Sequence, residues 1–106
     1  MKTLFLPVSG EVHHLSTESI IRIKASSNYS KVYYRNGVYP IVAAKLLRWF
    51  EPRLSPSEFI RIHNSYIINR QYIAQLKEDG VVELKDGTKL TIARRRKKQV
   101  MKMLAA

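Results

Sequence analysis

The densest chemistry in the chain is cationic. Arg94-Arg95-Arg96-Lys97-Lys98 is an unbroken basic run, and a helix begun near Ala93 would place it at a strand-to-helix junction, where side chains can project towards phosphates or base edges. The helix dipole makes the first turn a poor place for positive charge. A residue choice that costs local stability points to an external anion. The plainer reading, a solvated helix face, needs carboxylates at i+4 spacing, and none follows Asp86. Two other groups could join this one. Ser26-Ser27-Asn28-Tyr29-Ser30-Lys31 offers hydroxyls, an amide, an aromatic ring and a cation in a loop that could enter a groove, although Ser and Asn serve turn backbones equally well. In Arg61-Ile62-His63-Asn64-Ser65-Tyr66, Arg61 can engage guanine or phosphate, and the Asn64 amide can pair two-pronged with adenine. His63 and Tyr66 read as structural, since packed or hydrogen-bonded rings of this kind are commoner than ligands.

Catalytic patterns are sparse. His13, His14 and His63 lack a Ser, Cys or carboxylate at any recurring catalytic spacing, and the two aspartates, Asp79 and Asp86, sit in turn-like sequence. The absence of cysteine removes disulfides, thiolate nucleophiles and Cys-bearing zinc sites. No metal cage or phosphate loop is present in the pattern. The expectation is a protein that is no enzyme, with no catalytic residues, no metal and no cofactor.

Charge narrows the partners. Nineteen Lys and Arg against eight Asp and Glu leave a net charge of +11 over 106 residues, which makes a polyanion the first partner to consider. Nucleic acid and an anionic membrane surface are the two candidates. The length suits one domain spanning residues 1–106 with a modest core. The apolar run from Leu4 to Val8 contains Pro7 and is too short for a signal peptide or a membrane span. With no cysteine, a cytoplasmic location is expected.

Local pattern places the elements that must hold these groups. Residues 3–8 and 11–15 read as strands about a Ser9-Gly10 turn, and residues 16–19 as a capped turn. In residues 20–25, Ile21, Ile23 and Ala25 alternate with Arg22 and Lys24, predicting a half-buried strand. Asn36-Gly37 predicts a type I′ turn that sets Tyr34 opposite Tyr39 and Val32 opposite Ile41. Residues 43–51 take helical spacing, with Leu46, Leu47 and Phe50 inward, until Pro52 and then Pro56 end the helix. Residues 59–69 read as a short strand, a turn or helical corner, and another short extended piece. Residues 72–77 form a strand. Residues 81–92 form a hairpin whose three-residue loop, with Gly87 left-handed, opposes Leu84 to Thr88 and Val82 to Leu90. Residues 93–104 close the chain as a helix, with Val100, Met101 and Leu104 apolar.

The run Phe59-Ile60-Arg61-Ile62-His63-Asn64-Ser65-Tyr66-Ile67-Ile68-Asn69 resembles the hallmark of the LytTR family of bacterial DNA-binding domains, Phe-x-Arg-x-His-x-Ser-Tyr/Phe-x-Val/Ile-Asn. The surrounding order also matches, from about Pro7 to Leu104: Ile21 to Ala25 and Asn28-Tyr29 upstream, Leu46-Leu47, Ile73, the Asp86-Gly87 hairpin and the final basic segment. The resemblance implies a mostly β fold, an elongated assembly of short antiparallel sheets with a mid-chain and a C-terminal helix. It also implies a transcription regulator whose loops enter successive major grooves of double-stranded DNA, with two copies on a direct repeat. Carried over by position, base contacts fall to Ser30, Lys31, Asn64 and Arg95. Phosphate contacts fall to Asn28, Arg61, Arg94, Arg96 and Lys97. One departure is Ala93-Arg94 where the family usually has Ser-Arg, which removes a hydroxyl that could hold phosphate. Family members often carry a phospho-receiver domain of a two-component system ahead of this module. The chain begins at Met1 directly with the module, and it holds no acidic phospho-acceptor cluster.

Two other functions compete with duplex binding. The basic C-terminal helix alone could lie on an anionic membrane. Tyr29, Tyr33 and Tyr34 could stack on unpaired RNA bases. The duplex reading requires Lys31, Asn64 and Arg95 to converge on one side of the scaffold.

Overall fold

The computed structural model describes residues 2–105, and the strands within them form three antiparallel sheets. β1 (Thr3–Val8) and β2 (Glu11–Ser16) make a hairpin of their own. β3 (Ile20–Ser26), β4 (Tyr29–Tyr34), β5 (Ile41–Ala43), β6 (Phe59–His63) and β7 (Tyr66–Asn69) make the central sheet, in the order β5-β4-β3-β7-β6. β8 (Ile73–Leu76), β9 (Val81–Leu84) and β10 (Lys89–Thr91) make the third. The helices are α1 (Leu47–Phe50) and α2 (Arg94–Ala105). With extents of 43 × 25 × 23 Å the molecule is elongated, as a mostly β assembly of short sheets should be.

Both faces of the central sheet are covered, and this explains why residues 59–69 resist a simple periodic reading. Phe59 and Ile67 enter one core with Leu4, Leu6, Ile23, Val32 and Phe50, beneath the β1–β2 hairpin and α1. Their neighbours Ile60 and Ile68 enter the opposite core with Val82, Leu84, Ile92 and Val100, beneath the third sheet and α2. Strands buried on both faces lose their polar alternation. The corner between them is the two-residue turn Asn64-Ser65, and β6 and β7 form a hairpin.

Three local expectations change. In β3 a bulge between Ile20 and Arg22 inserts one residue and reverses the parity. Ile20 and Ile23 therefore share the first core, while Ile21 packs against the second. The mid-chain helix is a single turn followed by a 3-10 turn, Glu51–Arg53. Residues 43–46 stay outside the helix, because Ala43 pairs with Ser30 and the Ser30 hydroxyl donates to the Lys45 carbonyl at 2.6 Å. Leu47 and Phe50 are buried, but Leu46 is exposed. The β4–β5 hairpin keeps Val32 opposite Ile41, yet its turn is not type I′. Gly37 N–H donates to the Tyr34 carbonyl at 3.1 Å, and only Asn36 has positive φ, 66°. The Tyr34 ring closes over Gly37, where a Cβ would stand 2.4 Å from it. Tyr39 is left in solvent rather than paired.

The turn expected at residues 16–19 is a 3-10 turn, Thr17–Ser19, and the strand expected at 72–77 is the shorter β8, while the 81–92 hairpin holds. Leu84 N–H donates to the Thr88 carbonyl, Val82 faces Leu90, and Gly87 has φ 89°. The Asp79 and Asp86 carboxylates each accept from the backbone N–H two residues on, at 3.1 and 3.0 Å, as turn-forming aspartates do. Among the described residues, no helix is long and apolar enough to cross a membrane.

Asn69 joins the hairpins from within. It is buried; its Nδ2 donates to the Ile20 carbonyl at 2.8 Å and its Oδ1 accepts from Gln71 N–H at 2.9 Å. Asn69→Ala leaves both backbone groups without these partners, and should cost about 1–3 kcal/mol. In urea denaturation the midpoint should fall with an unchanged slope; an unaltered midpoint would show that these bonds hold nothing.

Candidate nucleic-acid interface

Four connections meet at one end of the central sheet. β3 and β4 turn there through Ser27-Asn28, with Ser27 at φ 56°. β7 runs antiparallel to β3 with Tyr66 opposite Lys24, so the Asn64-Ser65 turn falls beside the first, and Ala25 N–H donates to the Ser65 carbonyl at 2.8 Å. β5 leaves the sheet at Ala43, opposite Ser30, which puts residues 44–46 at the same end. α2 starts nearby, because Ala93 N–H donates to the carbonyl of Ile62 at 2.8 Å. Lys31 near the start of β4, Asn64 in its turn and Arg95 in the first turn of α2 are thus on one side of the scaffold.

The Asn64 turn is built to hold an exposed amide. Arg61 donates from Nε to the His63 carbonyl and from Nη2 to the Asn64 carbonyl, both at 2.7 Å, and its Nη1 pairs with the Glu51 carboxylate. His63 Nδ1 accepts from Ser65 N–H at 3.1 Å, and its ring lies 5.3 Å from that of Tyr66. His63 and Tyr66 therefore have the structural setting read for them. Arg61, the residue expected beside phosphate, directs three of its five N–H groups to two carbonyls and a carboxylate within the protein. It is a staple for the turn.

Ser30 lies inside the protein: its side chain is fully buried and its hydroxyl donates to the Lys45 carbonyl. Arg96 is half-buried, and its Nε is out of reach of solvent and has no acceptor. The stem of Lys97 lies against Gly80, where a Cβ would come within 3.3 Å of Lys97 Cε. Asn28, Asn64, Arg94 and Arg95 are exposed, and Lys31 is half-buried.

Two cations escaped the sequence reading. Lys24 stands directly opposite Lys31 on the same sheet face, a like-charge pair that weakens a sheet by a few tenths of a kcal/mol or more, at about the scale of other cross-strand pairs. Lys45 is brought to the interface by a segment that helical spacing had assigned to a helix. The signal for both was available: residues 19–50, 59–77 and 87–105 contain no carboxylate, and these stretches supply all four connections. Two acids border this end: Glu11 shares a groove lining with Lys45, and Glu51 pairs with Arg61. The positive end of the α2 dipole lies in the same region.

The comparisons with known proteins bear on family and fold. A profile described as the LytTr DNA-binding domain matches residues 10–105. The transcriptional regulatory protein LytR of Staphylococcus aureus is 30% identical over 97 residues, covering 88% of this chain and 39% of that protein. The sensory transduction protein LytT of Bacillus subtilis is 27% identical over 105 residues, covering 95% of this chain and 43% of that protein. The chain thus spans about two fifths of the length of these relatives. A solved LytTr DNA-binding domain, of a putative methyl-accepting/DNA response regulator from Bacillus cereus, superposes with a TM-score of 0.84 over 100% of this chain and 99% of that one. At 17% identity that likeness is one of fold. With its hallmark run on β6 and β7 and a family profile matching it from residue 10 to residue 105, this chain belongs to the LytTR family of DNA-binding domains.

Proposed function

We propose that this chain reads double-stranded DNA in a sequence-specific way as the DNA-binding module of a bacterial transcription regulator, two copies occupying a direct repeat. The observation that carries the reading is the meeting of four carboxylate-free connections at one end of a doubly covered sheet, with an exposed amide at Asn64 held by an internal arginine. Family membership gives DNA as the partner; the row of side chains supports how it is engaged. From β5 to β6 the row spans four strand spacings, about 19 Å, and α2 with its side chains adds about 10 Å beside β6. The sum approaches the helical repeat of about 34 Å. The β5 edge, with Lys31 one strand inward, and the opposite edge, with Asn64 and Arg95, can then enter successive major grooves while the sheet between them crosses the backbone. Asn64, Arg95 and Lys31 are the base-reading candidates; Asn28, Arg94, Lys97, Lys24 and Lys45 stand beside phosphate. Phosphate contacts supply most of the affinity and the amide and guanidinium the discrimination. A receiver domain or sensor acting on this module belongs to the same proposal.

Two observations weigh against the competing functions. The apolar face of α2 is used inside the protein, where Val100 is buried and Met103 and Leu104 pack on the second core, so the helix has little left to insert into a membrane. Of the three tyrosines that could stack on RNA, Tyr33 lies under the Arg22 guanidinium at 3.7 Å and Tyr34 covers Gly37. Tyr29 remains exposed.

Asn64→Ala or Arg95→Ala should cost about 1–3 kcal/mol on the preferred site and relax base choice, whereas Lys98→Ala should weaken all sequences alike and lower the salt slope by about one. Titrations on specific and random duplexes at several salt concentrations measure this, and equal losses on both duplexes for Asn64→Ala would remove it from base reading. Arg61→Gln should weaken specific binding about as much as Asn64→Ala and also speed amide exchange at Ser65. Lost affinity with unchanged exchange would make Arg61 a direct contact instead of a positioning residue.

A further inference from the structure

Behind the interface, where α2 packs against β6, a cavity of about 210 Å³ opens between the two cores. Leu54, Phe59 and Ile67 wall it from the first core, and Ile60, Val100 and Met103 from the second. Three charged side chains border it: Glu51, Arg61 and Arg96. Glu51 and Arg61 neutralise each other. Arg96 has no carboxylate partner among the described residues, and its Nε has no acceptor.

We infer that this cavity binds a small amphipathic monocarboxylate, its carboxylate on Arg96 and its hydrocarbon chain against the apolar walls. The volume equals about seven waters at about 30 Å³ each, which admits a short chain and excludes a nucleotide. A neutral hydrocarbon would leave Arg96 unmet. A second negative charge would find no free cation, because the Arg61 charge is already paired with the Glu51 carboxylate. The apolar side of the lining lowers the local dielectric and strengthens the one ion pair that remains. This site is separate from the exposed row of Lys31, Asn64 and Arg95, and the inference stands without the duplex reading.

Octanoate below its micellar concentration is the probe, titrated into the isotope-labelled chain and followed by NMR. The expected result is saturable movement of the Arg96 Nε–Hε signal together with the methyl signals of Ile60, Ile67, Val100 and Met103. Octan-1-ol, and octanoate on Arg96→Met, should each bind about tenfold more weakly, the loss of one charge-assisted contact. Equal binding of octanol and octanoate to the unaltered chain would overturn the inference, as would shifts confined to surface lysines and reproduced by acetate.

Discussion

The pairing of β3 with β7 sets the rest of the molecule. Arg22 opposite Ile68 and Lys24 opposite Tyr66 join two hairpins distant in sequence, and the antiparallel sense leaves both of their turns at the same end. Once that register exists, β5 and α2 have little freedom: one is bound to the far side of β4, the other starts from a hydrogen bond to β6. A shift of one residue would exchange the two faces of β7, sending Ile67 and Ile68 to the wrong cores and carrying the Asn64 turn out of line. Asn69 guards the register from inside, because its amide bonds the Ile20 carbonyl only when β3 and β7 are aligned.

Polar residues near the interface divide by whether the protein itself satisfies them. Ser30, Arg61 and Asn69 spend their hydrogen bonds on backbone carbonyls and lock the connections in place. Asn28, Asn64, Arg94 and Arg95 are held outward and exposed. The division follows from the cost of leaving buried donors unmet, about 1–3 kcal/mol each: a side chain that turns inward must find partners, and one kept for a ligand must stay in water. Rigidity in the inner set limits the entropy that the outer set would lose on binding.

The electrostatic arrangement runs against isolated stability. Lys24 faces Lys31 across two strands, and α2 opens with a row of cations at the end of its dipole that repels them. Each is a modest cost, and both fall at the same end of the sheet. Two cores, one on each side of the central sheet, give the scaffold enough burial to tolerate it.

Much was legible in the sequence, because it depended on short-range chemistry. The charge balance, the hallmark run, the Gly87 loop and the final helix all follow from residue types and near-neighbour spacing, and the family resemblance named Lys31, Asn64 and Arg95 as candidates. What lay beyond it required contacts between distant segments. Helical spacing in residues 43–51 could not reveal that Ser30 would hold Lys45 outside the helix, nor could Asn36-Gly37 reveal that Tyr34 would close over the glycine. The bulge at Ile21 reversed a parity that alternation alone had set. Ser30 and Arg61 have the composition of surface ligands, and only tertiary structure showed their side chains bonded within the protein. A side chain's chemistry is local, but its access to solvent is decided by whatever packs beside it.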